Sequence, residues 1–175
     1  MEILPDLFVL CTAFYFCVFR NNKDRGLRTV LPAFLFFLYI VLVCNITLMP
    51  FFIRIPDAFS DSHSFNLRPY IDLILKRGDY KRQIVLNILM FVPFGILYPA
   101  VTKSSFVKTV LCGALFSLTI EILQFLFSTR IADITDLINN TAGAFIGAVL
   151  WFVILKPFMS LFVHEDAAAD KLPDD

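Results

Sequence analysis

Apolar residues along this chain gather into long runs separated by short polar clusters. Four runs, roughly 30–53, 84–101, 107–127 and 137–155, approach or meet the ~20 mostly apolar residues that a bilayer-crossing helix needs. A fifth, Ile3 to Phe19, is shorter and carries Pro5 and Asp6 near its start. The pattern predicts an all-α, polytopic membrane helix bundle with about five transmembrane helices over residues 1–163. Residues 164–175 are acidic and end in Leu-Pro-Asp-Asp, which predicts a disordered, solvated tail. No internal repeat and no second domain is evident.

The first run lacks a basic leader and a small-x-small cleavage site, so it reads as an uncleaved anchor rather than a secretory signal. Arg20, Lys23, Arg25 and Arg28 follow it, and short basic loops stay cytoplasmic. Threading five spans from there puts the N-terminus, the loop 54–83 and the loop 128–136 outside. The turn around Lys103 and Lys108 and the C-terminus fall inside. Lys and Arg then divide eight inside to seven outside, so the orientation rests on the first loop.

Within the long loop, Pro69 to Gly78 has Pro first, Asp72 early, Lys76 and Arg77 late and Gly78 at the end, the order of helix start and stop signals. Tyr70, Ile71, Leu73, Ile74 and Leu75 make this segment too apolar for water. A short helix lying in the membrane interface, or dipping into the bundle, is expected before the third span.

Composition agrees with a membrane protein: 58% of the 175 residues are hydrophobic, 21 are Phe, and the charged share of 17% is below the quarter or so usual in soluble domains. Net charge is zero and no basic, aromatic-interleaved polar segment occurs, which excludes a nucleic-acid partner. Cys11, Cys17, Cys44 and Cys112 all lie in apolar runs without CxxC pairing and read as small buried hydrophobes. His63 and His164 are far apart and outside the apolar runs. No cofactor or metal is assigned.

Polar side chains inside membrane spans are costly, so they are the informative ones. Ser117, Glu121, Gln124 and Ser128 step by four, three and four along the fourth span and form one polar stripe, which must face protein or a water-filled cleft. Glu121 lies seven residues before Ser128, roughly 10 Å below the helix end, where a carboxylate is expected to be protonated or cation-paired. Arg130 is the nearest cation in sequence. The alternative is that Glu121 and Gln124 only bond neighbouring helices.

The fifth span begins with Asp133, Asp136 and Asn140, and Gly143 and Gly147 continue the same face inward. Gly143-x-x-x-Gly147 lets another helix backbone approach closely. Capping alone is one of two open explanations for Asp133, beside a role in the pocket, and it covers Asp136 less well, because capping does not require the alignment with Asn140. Two carboxylates and an amide oxygen would need a third carboxylate to make a divalent-cation site. In the third span, Asn87 lies about one turn in, and Pro93 removes a backbone donor and is expected to kink the helix. With Asn66 and Arg68 from the loop, these residues converge on one membrane face. The expected site is therefore an outward-facing pocket of Asn66, Arg68, Asn87, Glu121, Gln124, Arg130, Asp133, Asp136 and Asn140, with Gly143 and Gly147 as the packing seam.

Four motifs in order, Asn66-Leu-x-Pro69, Asn87-x-x-x-Phe91-x-Pro93-x-Gly95, Ser117-x-x-x-Glu121-x-x-Gln124 and Arg130-x-x-Asp133-x-x-Asp136-x-x-x-Asn140-x-x-Gly143-x-x-x-Gly147, resemble the VanZ-like family of bacterial membrane proteins. The resemblance covers about residues 65–150. It implies a multi-pass protein of the bacterial cytoplasmic membrane connected with the cell envelope, in a family whose namesake is associated with resistance to the glycopeptide teicoplanin.

Two functional readings are open to such a protein. In the first, the chain binds or shields a lipid-linked wall component, or the glycopeptide itself, at the outer face. In the second it is a membrane enzyme modifying a lipid or polyprenyl-linked head group, with Glu121 or Asp136 as acid or base and Arg68 or Arg130 gripping phosphate. The spans hold no histidine, nucleophile elbow, glycine-rich phosphate loop or HExxH, which favours the first reading and leaves no catalytic residue assigned. A transporter would show matched repeats or paired broken helices, and Pro93 is the one clear interruption.

Overall fold

The computed structural model describes Thr12 and residues 27–48, 65–127 and 132–160. In chain order the elements are α1 (Leu27–Leu48), β1 (Phe65–Asn66), α2 (Ile71–Leu75), α3 (Tyr80–Thr102), α4 (Phe106–Phe127), β2 (Ala132–Asp133) and α5 (Ile134–Val149). A six-residue π-helical segment, Leu150–Leu155, carries α5 on toward Ser160. Four helices are long and apolar enough to cross a membrane, so the described residues give four spans where about five were expected. The run Ile3 to Phe19 and the tail 164–175 lie outside them.

Two details depart from the expectation. The bundle is helical except for β1 and β2, which pair in parallel with Phe65 beside Ala132 and Asn66 beside Asp133. The short helix is also only one turn long. Tyr70 (φ 55°) and Lys76 (φ 52°) bound it in left-handed conformations, ahead of Gly78 (φ 60°). A left-handed tyrosine costs roughly 1–2 kcal/mol. Its N–H donates to Thr135 Oγ1 (3.0 Å) and its hydroxyl donates to Asn139 Oδ1 (3.1 Å), and these bonds to α5 hold it there.

The bundle wears its apolar residues outside. Leu35, Leu38, Leu42 and Ile46 on α1, and Leu111, Leu115 and Ile122 on α4, are exposed, whereas Ser117, Glu121, Gln124, Asn139 and Asn140 are buried. That arrangement suits hydrocarbon as the solvent, where polar groups must find partners within the protein. Apolar packing inside is aromatic. Phe94 stacks on Tyr98 (5.1 Å) and Phe116 (5.6 Å), and Phe36 of α1 meets its edge (5.7 Å).

Helices α3 and α5 touch backbone to backbone. A Cβ placed on Gly143 would strike the Ile88 carbonyl, one on Gly147 the Val92 carbonyl, and one on Gly95 the backbone of Ala144 and Ala148. The glycine seam of the fifth span therefore packs within one bundle, against the span that contains Pro93. Helix α3 runs continuously through both Pro93 and Pro99.

Candidate polar cavity

The seam fixes α5 beside α3, and the start of α5 is built to carry polar groups. Asp133 is its N-cap: Oδ1 accepts from the Thr135 N–H (2.7 Å) and Oδ2 accepts from Asn66 Nδ2 (2.8 Å). Its own N–H donates to Glu121 Oε2 (2.9 Å). One residue thus ties the loop, α4 and α5 together, and both of its carboxylate oxygens are engaged. Asp133→Ala is expected to lower unfolding stability in detergent by about 2 kcal/mol, for a lost cap and an orphaned Asn66 amide. Asp133→Asn should recover roughly half, because its amide accepts at the cap but offers Asn66 a second donor.

One turn further, Asp136 Oδ1 accepts from Asn87 Nδ2 (2.5 Å), which links α5 to α3. Asn140 Nδ2 donates to Ser117 Oγ (2.9 Å), and Gln124 Nε2 donates to the Thr47 carbonyl of α1 (3.0 Å). The polar stripe of α4 therefore faces protein: Ser117 is 0% exposed, Glu121 3% and Gln124 6%.

Between α1, α2, α3, α4 and α5 lies a cavity of about 1040 Å³. Asn66, Asn87, Glu121, Gln124, Asp133, Asp136 and Asn140 line it, so seven residues of the expected pocket come together around it. Arg68 is not among them. It is exposed, and its N–H donates to Asn66 Oδ1 (3.1 Å), which shapes the loop. Arg130 and Ser128 lie outside the described residues. The cation that does line the cavity is Arg77, with Asp72 and Gln83 nearby. In the sequence Arg77 reads only as a helix-stop residue, and nothing in its spacing points to the cavity.

The lining is also aliphatic in part. Leu42, Ile46, Leu86 and Leu89 line the cavity, yet each is at least half exposed on the bundle exterior. Pro93 also lines it, and the Leu89 carbonyl four residues earlier lacks the N–H it would otherwise meet. Two polar atoms in the lining, the Tyr39 hydroxyl and Asn140 Oδ1, are buried without a hydrogen-bond partner among the described residues. Such groups are ordinarily satisfied by water or a ligand. Among the described residues no three metal-ligating side chains come together.

Comparison with known proteins adds a family. The model of the VanZ/LLP1 family matches residues 7–156, which extends the likeness seen over 65–150 to the first apolar run. Protein VanZ of Enterococcus faecium is 34% identical over 116 residues, 65% of this chain and 69% of that protein. No solved structure matches.

Proposed function

This chain belongs to the VanZ/LLP1 family and is a multi-pass membrane protein of the bacterial envelope, and from that premise we propose that its cavity holds the head group of a lipid-linked cell-wall component at the outer face. Held there, the component is shielded from glycopeptides such as teicoplanin, and susceptibility falls without any covalent change to the ligand. The observation that carries this reading is the mixed lining, polar and aliphatic together. A polar head meets Asn87, Asp136, Asn140 and Arg77, while a chain passes Leu42, Ile46, Leu86 and Leu89 into the bilayer. Arg77 supplies the charge-assisted contact a phosphate seeks, and the orphaned Tyr39 hydroxyl and Asn140 Oδ1 gain partners from the sugar or peptide part.

The enzymatic reading draws on Glu121 and Asp136 lining the same cavity as Arg77. Against it, the described hydrogen bonds of Glu121, Asp133 and Asp136 tie α4, β1 and α3 to the start of α5. Purified protein in nanodiscs, incubated with lipid-linked wall precursors and analysed by mass spectrometry, separates the two. The expected result is a bound precursor of unchanged mass, with retention by Arg77→Ala reduced by about tenfold, the low end for a charge-assisted hydrogen bond. A precursor of altered mass would sink the non-enzymatic reading, and no retention at all would sink both.

A further inference from the structure

The other end of the bundle holds a second, smaller cavity of about 320 Å³, where α3 ends and the extension of α5 passes it. Lys103, Ser104, Trp151, Lys156 and Ser160 line it, with Pro99 at its base. It shares no residue with the polar cavity, so its role is independent of the shielding function.

Two backbone features bring the lysines together. Helix α3 stops at Lys103, whose left-handed conformation (φ 57°) turns the chain sharply while its N–H still donates to the Pro99 carbonyl (3.0 Å). On the partner helix the Lys156 N–H donates to the Trp151 carbonyl five residues back. The wall runs from Trp151 and Phe152 to Lys156 and then to Met159 and Ser160. π turns of this kind recur at functional sites.

An aromatic pair backs the wall beside Lys156. The Lys156 ammonium sits 5.4 Å from the centre of the Phe152 ring, and Phe152 meets Phe106 edge-on at 6.0 Å. Among the described residues neither Lys103 nor Lys156 makes an ion pair. Two lysines beside a tryptophan at the end of an apolar span mark the depth of the membrane interface. From the basic first loop, this end is expected to be the cytoplasmic one.

We propose that this cavity is a binding site for the phosphate of an anionic phospholipid, with Lys103 and Lys156 clamping the phosphate and Trp151 and Met159 against the upper part of the acyl chains. Basic pockets between spans are suited to such head groups, because each lysine gains an anionic partner at a depth where water is scarce.

The full chain, reconstituted in nanodiscs of equal phosphatidylcholine and phosphatidylglycerol and released for native mass spectrometry, tests this. Retained lipid is expected to be enriched in phosphatidylglycerol. The Lys103→Gln/Lys156→Gln pair should cut that enrichment by about thirtyfold. Lys108→Gln, an exposed lysine at the same end that does not line the cavity, should leave it unchanged. Lys103→Arg/Lys156→Arg should restore most of it, which rules out misfolding as the cause of the loss. Inorganic phosphate in millimolar excess distinguishes the source. No displacement is expected for a lipid site, whereas full displacement would make this a soluble-phosphate site and overturn the lipid assignment. Equal enrichment in the wild type and the double glutamine variant would overturn the site itself.

Discussion

Gly147→Ala is expected to destroy the folded bundle. The added methyl would point into the Val92 carbonyl and lie 2.9 Å from the Gly95 Cα, and both obstacles are backbone. Overpacking a core ordinarily costs about 1–3 kcal/mol through side-chain rearrangement, occasionally more. Here no side chain stands in the way to rearrange, so α3 and α5 must separate and release Asn87 from Asp136. The expected loss is about 3 kcal/mol or more, enough to unfold a marginally stable protein. Gly143→Ala, which meets the Ile88 carbonyl, should behave alike. Gly78→Ala has open space around it and pays only for its positive φ, about 1 kcal/mol. Membrane abundance and thermal unfolding in detergent measure all three. A Gly147→Ala protein as stable as Gly78→Ala would mean that the helices do not meet as described.

The second large effect is expected at Glu121, where two substitutions should part company. Glu121→Leu leaves the Asp133 N–H without its acceptor next to the cap of α5, and an unsatisfied buried donor costs about 1–3 kcal/mol. Because Asp133 also holds Asn66, the loop carrying α2 should loosen with it. Reduced membrane abundance and a lower unfolding temperature are expected. Glu121→Gln keeps an oxygen for that N–H and should fold normally. It replaces one carboxyl oxygen on the cavity lining with an amide donor, so binding of lipid-linked precursor should change while abundance holds. If leucine and glutamine gave equally stable proteins, the Asp133 contact would have no structural weight.

The helices were legible because each long apolar run has one explanation in a bilayer. The stripes were legible for a related reason: Ser117, Glu121 and Gln124 on α4, and Asp136, Asn140, Gly143 and Gly147 on α5, are the positions a lipid-facing helix would not carry. Their mutual contacts arise from two stripes seeking the same interior. Helix edges were less visible. Tyr80, Lys81, Arg82 and Gln83 are too polar to join an apolar run, yet they form the first turn of α3, where a span meets water. The pairing of β1 with β2 left no trace because it joins segments 67 residues apart through only two residues each. Arg77 and Arg68 show the limit most clearly. Both are exposed loop arginines, and the one nearer the matched motif is the one that does not reach the cavity. Which of them faces inward depends on the left-handed turns at Tyr70 and Lys76, conformations that no tyrosine or lysine advertises.

The glycine seam also decides which parts of the molecule are free to yield. Side-chain interfaces slide by exchanging rotamers, but Gly95, Gly143 and Gly147 have none to exchange, so α3 and α5 travel as a single beam. Helix α1 rests against the rest of the bundle through side chains, among them the Phe36 ring, buried Val43 and a hydrogen bond from Gln124 to the Thr47 carbonyl. Helix α2 is a single turn held from below by Tyr70. Any amphiphile too large to slip into the cavity directly must therefore displace α1 or α2, so a cross-link from α1 to α3 is the modification that would trap a ligand inside or keep it out.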